Sequence, residues 1–186
     1  MKRPGVKERI IATASRLFYE EGYNQTGINQ IIEEADVAKA SMYKHFRSKE
    51  DIAVAYLQRR HALWTQNMLA HVAAQNTPKA RVIGCFDYLV DWLGTVGYRG
   101  CSWQNIITDL PADHHKIPEQ ARLHKNELRA WLIQQLQSEG TYGETRAKDL
   151  GDQVMVLIEG AIILTQIEKD VWPVRSAKKA CITLLG

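Results

Sequence analysis

Residues 36–51, DVAKASMYKHFRSKED, decide the fold of this chain. The first three residues favour a tight turn, and residues 39–46 have the apolar spacing of a short helix. Residues 48–51, SKED, form a capping-box pattern that predicts the start of a long helix, which extends to about residue 74. Two short helices joined by a three-residue turn are typical of a helix-turn-helix.

Two more helices are predicted before this stretch. The first spans about residues 6–21, where apolar residues recur every three or four positions, and Gly22 ends it. Thr26 is expected to cap the second helix. Its apolar side is formed by Ile28, Ile31, Ile32 and Ala35. The sequence therefore predicts a three-helix domain in which residues 39–46 are the last helix.

The helix over residues 39–46 has small and cationic residues on one side and apolar residues on the other. Lys39, Ala40, Ser41 and Lys44 are expected on its outward side, whereas Met42 and Phe46 face inward. Small residues allow close approach to a major groove, and cations bind phosphates. Three further side chains can donate to backbone phosphates, namely Tyr43, His45 and Lys49.

Charge supports the same interpretation. The chain has 186 residues and a net charge of +3, with 45% hydrophobic residues, as in a soluble globular protein. Residues 1–60 carry eleven Lys and Arg against eight Asp and Glu, and the remainder carries thirteen of each. The positive excess lies in the first third, which favours a polyanion partner for that part.

Residues 6–56 resemble the DNA-binding domain of the TetR family of bacterial transcriptional regulators. The matching stretch is IIATASRLFYEEGYNQTGINQIIEEADVAKASMYKHFRSKEDI, residues 10–52, and residues 39–46 correspond to the recognition helix. The resemblance implies base or near-base contacts at Asn29, Lys39, Ala40, Ser41 and Lys44. It implies phosphate contacts at Thr26, Tyr43, His45 and Lys49. Two positions depart from the family pattern: Asp36 stands where glycine is common, and Ala38 replaces a Ser or Thr helix cap.

The rest of the chain is also predicted to be helical, so the fold class is all-α. Helices are expected over about residues 78–96, 118–138 and 144–169, with a short helix within 101–110 and a last helix ending at Leu185. We expect a helix-turn-helix DNA-binding domain over residues 1–47. A larger helical ligand-binding and dimerisation domain follows over residues 48–186.

The helix near residues 154–167 is apolar nearly all round. One side can serve the core of the subunit, and the opposite side needs a second partner. A two-fold pairing of this helix with the C-terminal helix would form a four-helix bundle between subunits, as in the family. The alternative is the central core helix of a monomer. The apolar run is too short for a membrane span, and a cytoplasmic homodimer bound to a palindromic DNA operator is the expectation.

Aromatic residues concentrate in the middle of the chain, where the resemblance implies a cavity for a small-molecule inducer that lowers operator affinity. The residues predicted to bind it are Trp64, Tyr88, Trp92, Cys101, Trp103, Asn105, His124 and Trp131. A packed aromatic core without a cavity is the alternative for each of them. Arg99 near Cys101 suggests a stabilised thiolate that senses electrophiles or oxidants, although the pattern favours an inert buried cysteine.

Other function classes find little support. The chain lacks the HExxH, GxxxxGK[ST], GxGxxG and GxSxG motifs, so no catalytic residue and no cofactor are predicted. His114 and His115 with Asp109 and Asp113 are interpreted as a solvated loop rather than a metal site. A helical protein-protein adaptor or redox sensor without specific DNA binding is the remaining alternative. No motif identifies the inducer, the operator, the regulated genes or the direction of control.

Overall fold

The computed structural model describes residues 3–108, 110–111 and 114–186. Within them the chain forms helices and no strand, as predicted. The helices are α1 (Val6–Glu20), α2 (Ile28–Glu34), α3 (Lys39–His45), α4 (Lys49–Val72), α5 (Pro78–Thr95), α6 (Ser102–Ile107), α7 (Lys116–Ser138), α8 (Glu144–Glu168) and α9 (Trp172–Leu185).

Most predicted helix boundaries are correct to within two residues, and the capping residues explain why. Ser48 Oγ accepts a hydrogen bond from the Asp51 amide at 3.1 Å and so fixes the start of α4. Thr77 Oγ1 accepts from the Ala80 amide at 3.1 Å, with Pro78 in the first position of α5. Pro173 lies inside the first turn of α9, where its missing amide donor costs no helical hydrogen bond.

The chain divides into two compact units. The first comprises Met1–Ala62 and Ser102–Leu123, and the second comprises Leu63–Cys101 and His124–Gly186. Helix α6 and the first turns of α7 therefore pack with the helix-turn-helix. The predicted boundary at residue 47 separates DNA binding from ligand binding and dimerisation. These are binding activities, so the boundary stays a prediction.

The first unit has its core where α1, α2 and α3 meet. Ile10, Leu17 and Ile31 are fully buried there, which follows from their three- and four-residue spacing along each helix. Phe18 adds ring contacts to Tyr23 and Tyr56, at centroid distances of 5.3 and 5.9 Å. The α3 helix is thereby attached to a rigid support.

The second unit is built on α5, α8 and α9, which pack against one another. Helix α8 is long and apolar enough to span a membrane by length and composition, with a mean hydropathy of 1.4. The core helix of a soluble protein meets the same criterion. Leu150, Val154 and Ile158 of α8 are buried in this unit, so the helix has a protein environment on that side.

Candidate nucleic-acid interface

The turn before α3 is held by α1. Asp36 has a left-handed backbone with φ of +50°, a conformation that Asp tolerates better than most residues, as predicted. Arg9 Nη1 donates to the Ala35 carbonyl at 2.9 Å and to the Asp36 carbonyl at 2.6 Å. The Arg3 guanidinium hydrogen-bonds the Asp36 carboxylate and lowers the pKa of that group. The same guanidinium lies 3.6 Å from the Asp36 carboxylate. No sequence pattern indicated Arg9, because its partners lie 26 and 27 residues away.

The α3 helix presents one apolar and one open side. Met42 is fully buried and Phe46 is 5% exposed, so these two side chains attach α3 to the first unit as predicted. Lys39, Ala40 and Lys44 are exposed on the other side, and Ser41 is half-buried. Ala38 stands at the N-cap and makes no side-chain cap, which confirms the expected loss of capping.

Polar side chains on the open side are available to an external partner. Within the residues that the structure describes, no side-chain hydrogen bond or ion pair engages Lys39, Tyr43, Lys44 or His45. Tyr43 is 45% exposed despite its aromatic ring. We call Lys39, Ala40, Tyr43, Lys44 and His45 the α3 surface. Its two ammonium groups and its phenol can donate to phosphates or base edges.

Two predicted contacts on the preceding segment behave differently. Thr26 is fully buried, and its hydroxyl donates to the Gly22 carbonyl at 2.8 Å. The prediction that Thr26 caps α2 is wrong, because Gly27 stands at the N-cap and no side chain caps the helix. A phosphate contact by the Thr26 side chain would require this hydrogen bond to break. Asn29 is exposed on α2 and is accessible.

Lys49, predicted to bind phosphate, is engaged inside the first unit. Its ammonium donates to the Tyr23 carbonyl at 3.0 Å and to the Thr26 carbonyl at 3.2 Å. It also lies 4.3 Å from the centroid of the Tyr23 ring. Burial lowers the pKa of Lys49. These contacts give Lys49 a role in joining α4 to the loop before α2, with which a phosphate would have to compete.

Four of the predicted pocket residues form an aromatic cluster in the second unit. The Trp64 ring contacts Tyr88, Trp92 and His124, at centroid distances of 5.6, 6.1 and 5.3 Å. The Tyr88 hydroxyl donates to the Trp64 carbonyl at 3.3 Å. We call Trp64, Tyr88, Trp92 and His124 the aromatic cluster. Its edge-to-face geometry is that of a packed core.

The space beside this cluster is small. Trp64, Cys85 and Leu128 help to line a narrow gap that leaves no room for a water molecule. Trp131 is half-buried on α7 in the same unit. Trp103 and Asn105 belong to α6, in the first unit, so the eight predicted residues are divided between the two units.

Cys101 has a cationic neighbour that was not predicted from the sequence. The Lys125 ammonium lies 3.5 Å from Cys101 Sγ and also binds the Glu159 carboxylate at 2.7 and 2.8 Å. Burial opposes the charged form of Lys125, but Cys101 and Glu159 outweigh it and raise the pKa of Lys125. No sequence signal links two residues that are 24 positions apart, so the sequence could not indicate Lys125 as a neighbour of Cys101.

The two histidines after Pro111 are not both in solvent. His114 Nε2 lies 2.8 Å from the Tyr23 hydroxyl, and the two rings meet edge to face. His115 is exposed. Asp109 and Asp113, considered with them as metal ligands, lie outside the described residues. Among the residues that are described, no group of three or more His, Cys, Asp or Glu side chains could hold a metal ion.

Comparison with known proteins shows which family the chain belongs to. Residues 10–56 match the family model of bacterial regulatory proteins of the TetR family, and residues 78–180 match the C-terminal domain of LmrA/YxaF-like transcriptional regulators. The chain is 27% identical to the transcriptional regulator LmrA of Bacillus subtilis over 169 residues, covering 90% of this chain and 89% of that one. Over 62 residues, a third of its length, it is 36% identical to the Escherichia coli transcriptional repressor NemR, of which the match covers 31%.

Solved structures share the whole architecture. The regulator SCO4454 of Streptomyces coelicolor superposes with a TM-score of 0.86 at 24% identity, covering 98% of this chain and 90% of that one. Reduced E. coli NemR gives a TM-score of 0.82 at 19% identity and covers 97% of both chains. At such identities the likeness concerns the fold. The two family matches go further, and this chain is a DNA-binding transcriptional regulator of the TetR family, with a C-terminal domain of the LmrA/YxaF-like kind, and not an enzyme.

Proposed function

We propose that the protein is a cytoplasmic repressor that binds a palindromic operator as a homodimer and is released by a small-molecule inducer. The observation that carries DNA recognition is the α3 surface. Its cations and phenol have no partner among the described residues, while Met42 and Phe46 hold the helix from the other side. The word repressor in the name of one relative supports the direction of control.

The test of operator binding is selection of genomic DNA fragments on the purified protein at one fixed salt concentration. A few fragments that share a short palindrome would support the proposal, because the two recognition helices of a dimer read symmetric half-sites. Recovery of unrelated fragments, lost as salt rises, would contradict it, since phosphate contacts alone give that pattern. Transcription from the selected promoter with and without the protein then distinguishes repression from activation.

Dimerisation through α8 and α9 is supported by an apolar surface. Val156 is 71% exposed and Ile167 is 67% exposed on α8, and Ile182 is 45% exposed on α9. A groove of about 510 Å³ lies between α8 and α9, with Val156, Leu157, Ala180 and Leu184 in its walls. The same two helices of a second copy fit this groove, because a two-fold axis brings identical apolar surfaces together.

Light scattering tests the dimer. The protein is expected at twice its chain mass, and Val156→Asp is expected to shift it toward a monomer by burying a charge in the interface. Leu69→Asp is the matched control, because Leu69 is 40% exposed on α4. A monomeric wild-type protein, or an equal effect of the two variants, would contradict the use of α8.

The inducer is proposed to act through the aromatic cluster. Because the adjoining gap does not admit even a water molecule, ligand binding requires these rings to move, and that movement would make the liganded and unliganded conformations different. Tryptophan fluorescence titrated with candidate aromatic and cationic compounds measures binding directly. A compound that releases operator DNA equally from the wild type and from His124→Ala and Tyr88→Phe variants would contradict this location.

Cys101 supports an electrophile as the inducer. The ammonium of Lys125 lies 3.5 Å from Sγ, and the Cys101 side chain is buried, so an electrophile has to enter the second unit to reach it. Burial raises the pKa of Cys85, and it raises the pKa of Cys181 to about 11, which disfavours the nucleophilic form of those two cysteines. An aldehyde or quinone is therefore expected to alkylate Cys101 first.

Peptide mass analysis after brief treatment with a quinone identifies the modified cysteine, and operator release is measured on the same samples. Cys101→Ser is expected to abolish the release, and Cys181→Ser is the control. Normal release of DNA by Cys101→Ser would contradict an electrophilic inducer and favour a non-covalent one.

The alternative function, a protein-protein adaptor that does not bind DNA, has no specific observation in its favour.

A further inference from the structure

We infer that Glu50 is a positioning residue for the recognition helix, acting as the link through which the start of α7 holds the start of α4. The inference rests on the proposed operator binding and concerns how that binding is regulated. All groups involved lie in the first compact unit.

The link is a carboxylate at a helix N-terminus. Glu50 Oε1 accepts hydrogen bonds from the Lys116 amide at 2.8 Å and from the Ile117 amide at 3.3 Å. These are the first amides of a 23-residue helix, which have no carbonyl partner within their own helix. The positive end of the α7 dipole also favours a negative charge at this point.

Two further contacts lie at the start of α7, one to α4 and one to the loop before α2. The Lys116 ammonium binds the Asp51 carboxylate at 2.5 Å, and this hydrogen bond lowers the pKa of Asp51. His114, two residues before α7, lies 2.8 Å from the hydroxyl of Tyr23. Lys116 is 57% exposed, so its ion pair is screened by water and contributes less than the amide contacts.

The start of α4 is in turn rigidly joined to α3. Only residues 46–48 separate the two helices. Within them, the Phe46 amide donates to the Met42 carbonyl at 2.9 Å, and the Arg47 amide donates to the Asp51 carboxylate at 3.2 Å. With Phe46 buried, this short connection has little freedom to bend. A displacement of the start of α7 at Glu50 is therefore expected to reach α3.

Substitution of Glu50 separates positioning from simple electrostatics, because the two predict opposite signs. Removal of a negative charge near DNA should tighten binding to a polyanion. If Glu50 positions α3, Glu50→Ala should instead weaken operator binding by about tenfold, the amount associated with one lost charge-assisted hydrogen bond. The salt dependence should stay unchanged, since no phosphate contact is removed.

Two variants complete the design. Glu33→Ala removes the same charge from an exposed position on α2 and should bind at least as tightly as the wild type. Glu50→Gln keeps an oxygen acceptor for the two amides and should restore most of the affinity. If Glu50→Ala binds the operator as tightly as Glu33→Ala, the inference is overturned.

Hydrogen exchange on the free protein gives a readout that needs no DNA. In Glu50→Ala, the Lys116 and Ile117 amides should exchange faster, and so should the hydrogen-bonded amides of Met42 and Phe46 in and after α3. Unchanged exchange at Met42 and Phe46 would overturn the link even if the operator is bound. A wild-type protein without a specific operator would overturn the proposed function, while the exchange result would still decide whether α7 controls α3.

Discussion

The α3 surface and the aromatic cluster are both rich in groups that bind partners, yet they differ in what those groups already contact. Side chains of the α3 surface have no partner within the described residues, whereas every ring of the aromatic cluster meets another ring. An exposed surface supported by a packed core is ready to bind a rigid double helix. A packed cluster must first open, which suits a ligand that changes conformation.

The largest expected effect is loss of the central ring of the cluster. Trp64→Ala should lower the free energy of unfolding by about 3–5 kcal/mol, because a buried aromatic side chain leaves a cavity. Urea unfolding measures it, and Trp172→Ala, at a position that is 50% exposed, is the control. A loss no greater than that of the control would mean that the cluster is already an open pocket, and the contrast with α3 would disappear.

Removal of a cation from the α3 surface should affect binding and leave folding intact. Lys44→Ala is expected to weaken operator binding by about 1–3 kcal/mol and to relax preference at one base position. Its free energy of unfolding should change by less than about 0.5 kcal/mol, since the side chain is exposed and unpartnered. Tyr43→Ala should weaken binding to all DNA sequences alike. Identical behaviour of the two variants would count against the assignment of outward residues.

Lys49 sharpens the comparison because it is a cation close to α3 with internal partners. Lys49→Ala should cost about 1–3 kcal/mol of stability, as the Tyr23 and Thr26 carbonyls lose their donor. Thermal unfolding of Lys49→Ala and Lys39→Ala side by side checks this. If both variants unfold at the temperature of the wild type, Lys49 would be a surface residue like Lys39. A contact between Lys49 and DNA would then regain support.

The smallest effect concerns the uncapped start of the recognition helix. Ala38→Ser should stabilise the protein by about 1 kcal/mol, because a serine at the N-cap can accept from an amide of the first turn. Guanidinium unfolding is sensitive enough to detect it. Ala38 has an extended backbone with ψ of 142°, as an N-cap residue requires. A destabilised Ala38→Ser protein would contradict that backbone conformation.

Local sequence was sufficient for the helices and for the α3 surface. Helix starts follow from Ser48 and Thr77, whose partners lie three residues away, and the inward direction of Met42 and Phe46 follows from their four-residue spacing. The wrong prediction of Thr26 as a cap arose in the same local way. Its hydroxyl found the Gly22 carbonyl behind it instead of an amide ahead.

Residues with distant partners could not be predicted. Arg9 with the turn at residue 36, Glu50 with α7 and Lys125 with Cys101 join positions from 24 to 67 residues apart. The sequence by itself determined the all-helical class, the helix-turn-helix and the side of α3 that faces outward, because helical periodicity and capping act over three or four residues. Only the tertiary structure decided that Lys49 is engaged, that the aromatic cluster is packed and that α7 begins on Glu50, because those depend on which helices come together in space.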